Sequence, residues 1–250
     1  MDDVTRLDGR KYSELRPMSV QLNPLKSGPS CRISVGGSGL DCGGSGSSTS
    51  VIAVAYFSPD NKNRNCLGNY HKPTFEVYVR PASGTVTNRI RGMECVLLKT
   101  LQRVVHSENL GKILMSMRIQ VLEDGGSLLS VCLNALLTCA LLTGLKLREV
   151  SHAVPFGIVN RNGTESLILD PTDEELRTYC SASFTVLCDP TTGDISLFTL
   201  DTGYGGIDKR LTEKMSDLAV RAARIRLKMI DDIYKSAFDP ARISFEANCT

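Results

Sequence analysis

The run Gln120-Val121-Leu122-Glu123-Asp124-Gly125-Gly126-Ser127-Leu128-Leu129-Ser130-Val131-Cys132-Leu133-Asn134-Ala135 changes its hydrophobic period half-way along. Upstream, Met117, Ile119 and Val121 recur every second residue, the spacing that places side chains on one face of a strand. Downstream, the stretch from Leu128 to Leu142 is apolar except for Ser130, Asn134 and Thr138, and it is too short to cross a bilayer. It reads as a buried helix running to about Thr143. Asp124-Gly125-Gly126-Ser127 is the predicted turn between strand and helix, with Ser127 as the N-cap.

Toward the N-terminus the chain alternates in strand fashion over Arg32–Val35, Ser50–Phe57 and Thr74–Val79. Between the first two strands, Gly36 to Ser48 holds six glycines. It contains no GxxxxGK[ST] and a strand follows it, so it is read as a long connection and not as a phosphate-binding loop. Met93, Leu97, Leu101, Val104 and Val105 then predict an amphipathic helix over about Gly92 to His106. Beyond the central helix come strands at Val150–Val159, Ser166–Leu169, Ser183–Leu187 and Ile195–Leu200, with Asn162-Gly163, Asp170-Pro171 and Pro190–Asp194 as turns. A helix of about Asp208 to Phe238 closes the chain, with Leu211, Met215, Leu218, Ala222, Ile225, Met229 and Ile233 as its expected apolar stripe. The succession strands, helix, strand, helix, strands, helix predicts an α+β, split βαβ arrangement in one domain over residues 1–250. Its core runs from about residue 6 to 236, and residues 239–250 form a tail.

Composition narrows the function classes without choosing one. The chain of 250 residues is 42% hydrophobic and 22% charged, enough to bury a core and unlike a disordered polymer. A net charge of +2 is too small to indicate nucleic-acid binding, so any such contact rests on a local patch. Nine cysteines without a CxxC motif, and only three histidines, give no metal-ligand spacing. Buried thiols in a reducing compartment are the expectation, with no metal and no cofactor. The start, Met1 to Arg6, lacks the apolar segment of a secretion signal, and no membrane partner is expected.

Three segments carry a resemblance to a known family. Arg6-Leu7-Asp8-Gly9-Arg10 followed by Glu14-Leu15-Arg16-Pro17 resembles the opening signature of the RNase PH family. Gln120 to Ser127 resembles its strand–DGG–helix segment, and Leu169-Asp170-Pro171-Thr172 with Glu174-Glu175 resembles the strand and turn that end in its acidic cluster. Within that family the chain is most similar to the core subunits of the eukaryotic RNA exosome. The resemblance implies the RNase PH fold, akin to the second domain of ribosomal protein S5. It also implies assembly with other RNase PH-like subunits in a six-membered ring. S1/KH cap subunits, an associated hydrolytic exoribonuclease and RNA are the further partners implied, in the nucleus, the nucleolus and the cytoplasm.

Active members perform phosphorolysis, in which inorganic phosphate attacks the terminal phosphodiester at an RNA 3′ end. Two anions must meet there, so arginine forks and helix N-terminal N–H groups are needed to neutralise them, and an acid must serve the leaving oxygen. By resemblance, Arg89, Arg91, Arg103, Gly125, Gly126 and Ser127 are the RNA- and phosphate-binding candidates. Arg91 is placed just before the first helix, with Arg89 as its rival. Gly125-Gly126-Ser127 reads either as an anion cradle or as an ordinary capped turn. Asp170 and Ser127 are vestigial catalytic candidates only. The family's clamp arginine falls on Leu128, its general acid on Leu176, and Glu174 and Glu175 are offset and read as turn caps. The expectation is a non-catalytic ring subunit supporting rRNA maturation and RNA turnover. The alternatives are an active phosphorolytic 3′→5′ exoribonuclease and a stand-alone RNA-binding module using Arg6, Arg10, Lys11, Arg16 or the last helix. The strand Met117–Glu123 and the edges of the second sheet are the expected pairing sites for neighbours.

Overall fold

A computed structural model describes residues 6, 9–37, 48–59, 73–108, 113–161, 164–203 and 208–238. Most of the Gly36–Ser48 connection, the Asn162-Gly163 turn and the tail from residue 239 therefore lie outside the described residues.

The alternation read from Met117 to Val121 belongs to a longer strand, β5 (Ile113–Glu123), in which Met115, Met117, Ile119 and Val121 are buried. It lies inside a five-stranded sheet whose other members are β1 (Met18–Leu22), β2 (Ser30–Val35), β3 (Thr49–Pro59) and β4 (Thr74–Arg80), in the order β1-β2-β3-β5-β4. Being an inner strand, β5 has both edges paired and offers none to a neighbour, which corrects the expectation for Met117–Glu123; β1 and β4 are the edges. Strand β1 had no alternation strong enough to be read from sequence: only Met18 of its five residues is fully buried. β4 pairs with β5 in parallel through α1 (Asn88–Val104), the split βαβ unit that was expected.

The apolar stretch forms α2 (Leu128–Leu142), buried on every side over thirteen consecutive residues from Leu128 to Ala140. It has no polar face because it lies between two sheets: one side meets β2, β3 and β5, the other meets β6 (His152–Arg161). Its central polar residue is satisfied across that second contact. Asn134 Nδ2 donates to the Ala153 carbonyl at 2.9 Å, and Ala153 N donates back to Asn134 Oδ1 at 2.7 Å.

The second sheet is antiparallel, β7-β6-β8-β9, adding β7 (Thr164–Leu169), β8 (Cys180–Cys188) and β9 (Ile195–Gly203). A short helix, α3 (Asp173–Thr178), joins β7 to β8, and α4 (Lys209–Ala237) covers the face of the sheet that α2 leaves open. The buried stripe of α4 is Leu211, Met215, Ala219, Ala222, Ala223, Arg226 and Ile230. Leu211, Met215 and Ala222 were anticipated, but Ile225 is 65% exposed and Arg226 takes a core position. Small alanines let α4 approach the sheet closely, and an ion pair described below draws Arg226 inward. Among the described residues, no helix is long and apolar enough to cross a membrane.

Candidate functional site

The second glycine after β5 is needed because the turn is pressed against the segment that follows β7. Gly126 has φ +107°, and a Cβ there would lie 2.5 Å from Asp173 N and 2.8 Å from the Thr172 carbonyl carbon. Its neighbour binds the same segment, with Asp173 N donating to the Gly125 carbonyl at 2.9 Å. Gly125 N donates to Thr49 Oγ1 at 3.1 Å and Gly126 N to Asp124 Oδ1 at 3.3 Å, so both N–H groups are engaged within the protein. Ser127 stands at the N-cap position that was expected, but its side chain does not cap the helix. Its backbone is left-handed (φ 57°, ψ 34°), and its Oγ donates to the Pro171 carbonyl at 2.9 Å, so it ties the turn to Pro171 and leaves the helix uncapped by a side chain.

Beside this turn and the start of α2 lies a cavity of about 310 Å³. Arg89, Ser127, Leu128, Leu176, Phe156 and Asp201 are among its lining residues. The two aliphatic departures, 48 positions apart in the chain, thus face one space. Arg89 reaches it from the first turn of α1, which begins at Asn88 behind a Thr87 cap and not at Gly92. Arg91 is therefore inside the helix, on its exposed side, and does not line the cavity. Arg103 is engaged elsewhere: its guanidinium donates to the Ser196 carbonyl and lies 3.5 Å from Glu149. Gly125 and Gly126 are also absent from the lining.

Asp201, on β9, was not anticipated. One carboxylate oxygen accepts from Thr185 Oγ1 at 2.5 Å, while Oδ1 is buried with no hydrogen-bond partner. Burial raises its pKa to about 6, against the hydrogen bond from Thr185 and the nearby Arg89 charge, which both lower it. A lone aspartate on an edge strand with no motif around it gives no signal in sequence.

The acidic residues that sequence did single out belong to a different place. Asp170, at φ 52°, is buried and bound by Arg16, with Arg16 Nη2 at 2.6 Å from Oδ1 and Arg16 N donating to Oδ2 at 3.1 Å. Arg226 Nη2 stands 3.7 Å from Oδ2 and also donates to the Arg16 carbonyl. Glu175 is likewise inside. Arg6 Nε donates to its Oε1 at 2.7 Å and Arg6 Nη2 to its Oε2 at 2.5 Å, while Thr172 and Glu175 form a reciprocal capping box at the start of α3. Glu175 therefore does cap a turn of helix, as expected, but buried and ion-paired instead of solvated. Arg6 and Arg16, offered above as RNA contacts, are consumed by these pairs. His152 lies against the same cluster, and burial followed by the Arg226 charge pushes its pKa down to about 3, so its imidazole is neutral.

No family model matches the chain. Over 190 residues it is 25% identical to a rice protein named exosome complex exonuclease RRP46 homolog, covering 73% of this chain and 71% of that one. The crystal structure of rice Rrp46 superposes with a TM-score of 0.73 at 23% identity, over 93% of this chain and 99% of that one. By sequence and by fold the chain is similar to proteins named for exosome RRP46. It has the RNase PH-like fold of the exosome cores: an Archaeoglobus fulgidus exosome solved with RNA bound to its active site superposes with a TM-score of 0.71 at 18% identity, over 91% and 93% of the two chains. The resemblance read from the DGG turn and the two flanking signatures is thereby borne out, and so is the α+β fold class. In this fold the Asp170 cluster joins the N-terminal segment, β7 and α4, whereas the cavity at the head of α2 is lined by α1, α2, α3 and the second sheet.

Proposed function

We propose that this chain is a non-catalytic RNase PH-like subunit of an exosome-type ring, supporting 3′→5′ RNA processing by assembly and by weak RNA contacts. The observation that carries this reading is the meeting of Leu128 and Leu176 in one cavity at the head of α2. Phosphorolysis brings phosphate and an RNA phosphodiester together, and each charge-assisted contact to such anions is worth about 1.5–3 kcal/mol. Two aliphatic side chains supply neither a fork nor a proton. The partners proposed are other RNase PH-like subunits in a six-membered ring, S1/KH cap subunits, a hydrolytic exoribonuclease and RNA, with residence in the nucleus, the nucleolus and the cytoplasm. The described chain is proposed to act as a single domain.

The test is to incubate the purified chain with an oligoribonucleotide and inorganic phosphate. No nucleoside diphosphate is expected, and a tagged chain is expected to recover further RNase PH-like chains. Release of nucleoside diphosphates, or recovery of the chain alone, refutes the corresponding half of the reading.

A second reading, phosphorolysis by the chain itself, draws on one specific observation. Arg89 and Asp201 line the same cavity as the two leucines, and Asp201 carries the raised pKa suited to a proton donor. Under that reading diphosphate release occurs, and Asp201→Asn abolishes it without altering the fold.

A further inference from the structure

Two charged side chains of opposite sign reach the cavity at the head of α2. Arg89 comes from the first turn of α1 and is exposed, so its guanidinium stands at the mouth. Asp201 comes from β9, and its place there follows from a break in strand register. Ser183 of β8 pairs with Thr202, and Phe184 pairs with Leu200, which leaves Asp201 as the extra residue of a β-bulge. A bulge takes a side chain out of the regular alternation and re-aims it. Thr199, Leu200 and Asp201, three consecutive residues, accordingly all line the cavity.

The fold leaves this carboxylate half-answered. Thr185 Oγ1 donates to one oxygen at 2.5 Å, and Oδ1 is buried with no hydrogen-bond partner. The Arg89 charge is near enough to lower the Asp201 pKa, yet among the described residues no ion pair joins the two. A buried polar group without its hydrogen bond costs about 1–3 kcal/mol, which a donor carried by a ligand would recover. Among the described residues no other ionisable side chain lines the cavity, and Met93, Leu128, Leu129, Phe156, Phe184 and Leu176 supply apolar wall. A phosphate dianion would meet one guanidinium and one opposing carboxylate, whose charges cancel. At about 310 Å³ the cavity lies at the lower end of the ~300–1,000 Å³ typical of small-molecule sites, so it suits a small ligand.

We propose that this cavity binds a free α-amino acid with an apolar side chain, its carboxylate on Arg89, its ammonium on the Asp201 carboxylate and its side chain against Leu128, Phe156 and Phe184. The charge pattern selects a zwitterion. A simple carboxylate would answer Arg89 but add a like charge beside Asp201, and a simple amine would answer Asp201 but meet the guanidinium at the mouth. A zwitterion satisfies both, and each charge-assisted contact is stronger than a neutral one. The apolar body then takes the wall that Leu128 and Leu176 provide in place of a phosphate clamp and a proton donor. The proposal rests on the non-catalytic reading of this cavity and gives it a ligand of another class.

The experiment is isothermal titration calorimetry of the full chain with L-phenylalanine and L-leucine, and in parallel with N-acetylphenylalanine, phenylalaninamide and inorganic phosphate. Both amino acids are expected to bind, one per chain. Acetylation removes the ammonium and amidation removes the carboxylate, and each is expected to weaken binding at least about tenfold, as loss of a charge-assisted contact would. Asp201→Asn and Arg89→Ala are expected to weaken phenylalanine binding by a similar factor. A merely structural role would not reproduce the pairing of losses. Asp201→Asn is expected to bind phenylalanine and N-acetylphenylalanine alike, and Arg89→Ala to bind phenylalanine and phenylalaninamide alike. Arg91→Ala, outside the cavity, is expected to bind phenylalanine as the wild type does, and thermal melts check that each variant is folded. Failure of both amino acids to bind the wild type overturns the proposal. So does equal binding of the blocked and free forms, or binding of phosphate in place of the amino acids. Diphosphate release from an oligoribonucleotide is measured separately. Its appearance overturns the non-catalytic reading and the proposal with it, whereas absence of both release and amino-acid binding overturns the proposal alone.

Discussion

Two regions of this molecule bury carboxylates, and they treat them in opposite ways. In the cluster between the N-terminal segment, β7, α3 and α4, Asp170 and Glu175 are each held by arginine forks and backbone donors. At the head of α2, Asp201 has one oxygen bound by Thr185 and the other unpaired beside a cavity. Desolvation acts on all three. Where it is answered by charge, the carboxylate becomes a clasp joining distant parts of the chain; where it is not, the carboxylate takes up its proton near neutrality. The acidic motif that resembles the family pattern and the carboxylate with the raised pKa are therefore different residues in this fold.

The sharpest way to break the comparison is to cut the clasp. Asp170→Ala leaves the Arg16 and Arg226 charges buried without their partner, and removing one side of a buried ion pair costs about 3–5 kcal/mol. Urea unfolding is expected to show a midpoint lowered accordingly; a loss under about 1 kcal/mol would make the cluster an ordinary surface network. Gly126→Ala comes next. It forces a Cβ against Asp173 N and a positive φ on an L residue, for an expected loss of about 2 kcal/mol in the same measurement.

The two perturbed titrations separate the regions by sign. His152 is held neutral in the folded protein down to about pH 3, whereas in the unfolded chain it gains a proton near its ordinary value of 6.5. Stability that is present above pH 6.5 is therefore lost as pH falls from there toward 3, with a slope of at most about 1.4 kcal/mol per pH unit. Denaturant midpoints collected over that range are expected to fall less steeply for His152→Gln. Asp201 runs the other way. Its folded pKa of about 6 lies above its unfolded value of 3.8, so ionisation strains the fold as pH rises from about 4 to 6. Asp201→Asn is expected to stabilise the protein by about 1 kcal/mol at pH 7.5, and that gain should vanish below pH 4. Equal effects of Asp201→Asn at both pH values would show that the unpaired oxygen is not a titrating group.

Much of the architecture was legible because it follows from local periodicity. The alternation at Met117, Ile119 and Val121 and the uninterrupted apolar run after Ser127 required a strand feeding a helix buried on all sides, and the two sheets around α2 are what such a helix needs. Leu128 and Leu176 were legible as departures from the family pattern, but their meeting in one cavity was not, since the chain gives no sign that 48 residues fold back to a common wall. Strand β1 escaped notice because an edge strand buries little. The face of α4 was misplaced for a related reason: periodicity ranked Ile225 above Arg226, and only the Asp170 carboxylate across the interface reverses that order.

What the amino-acid order determined by itself is therefore the set of elements, their succession and the aliphatic substitutions at two chemical positions, all of which depend on spacing along the chain and on side-chain type. Tertiary structure decided the rest: that Ser127 binds Pro171 instead of capping α2, that Asp170 is a clasp, and that Asp201 keeps one oxygen without a hydrogen bond in the cavity that Arg89 also lines. The physical reason is that a polar group's role is set by what it meets after water is removed, and those partners come from segments far away in the chain.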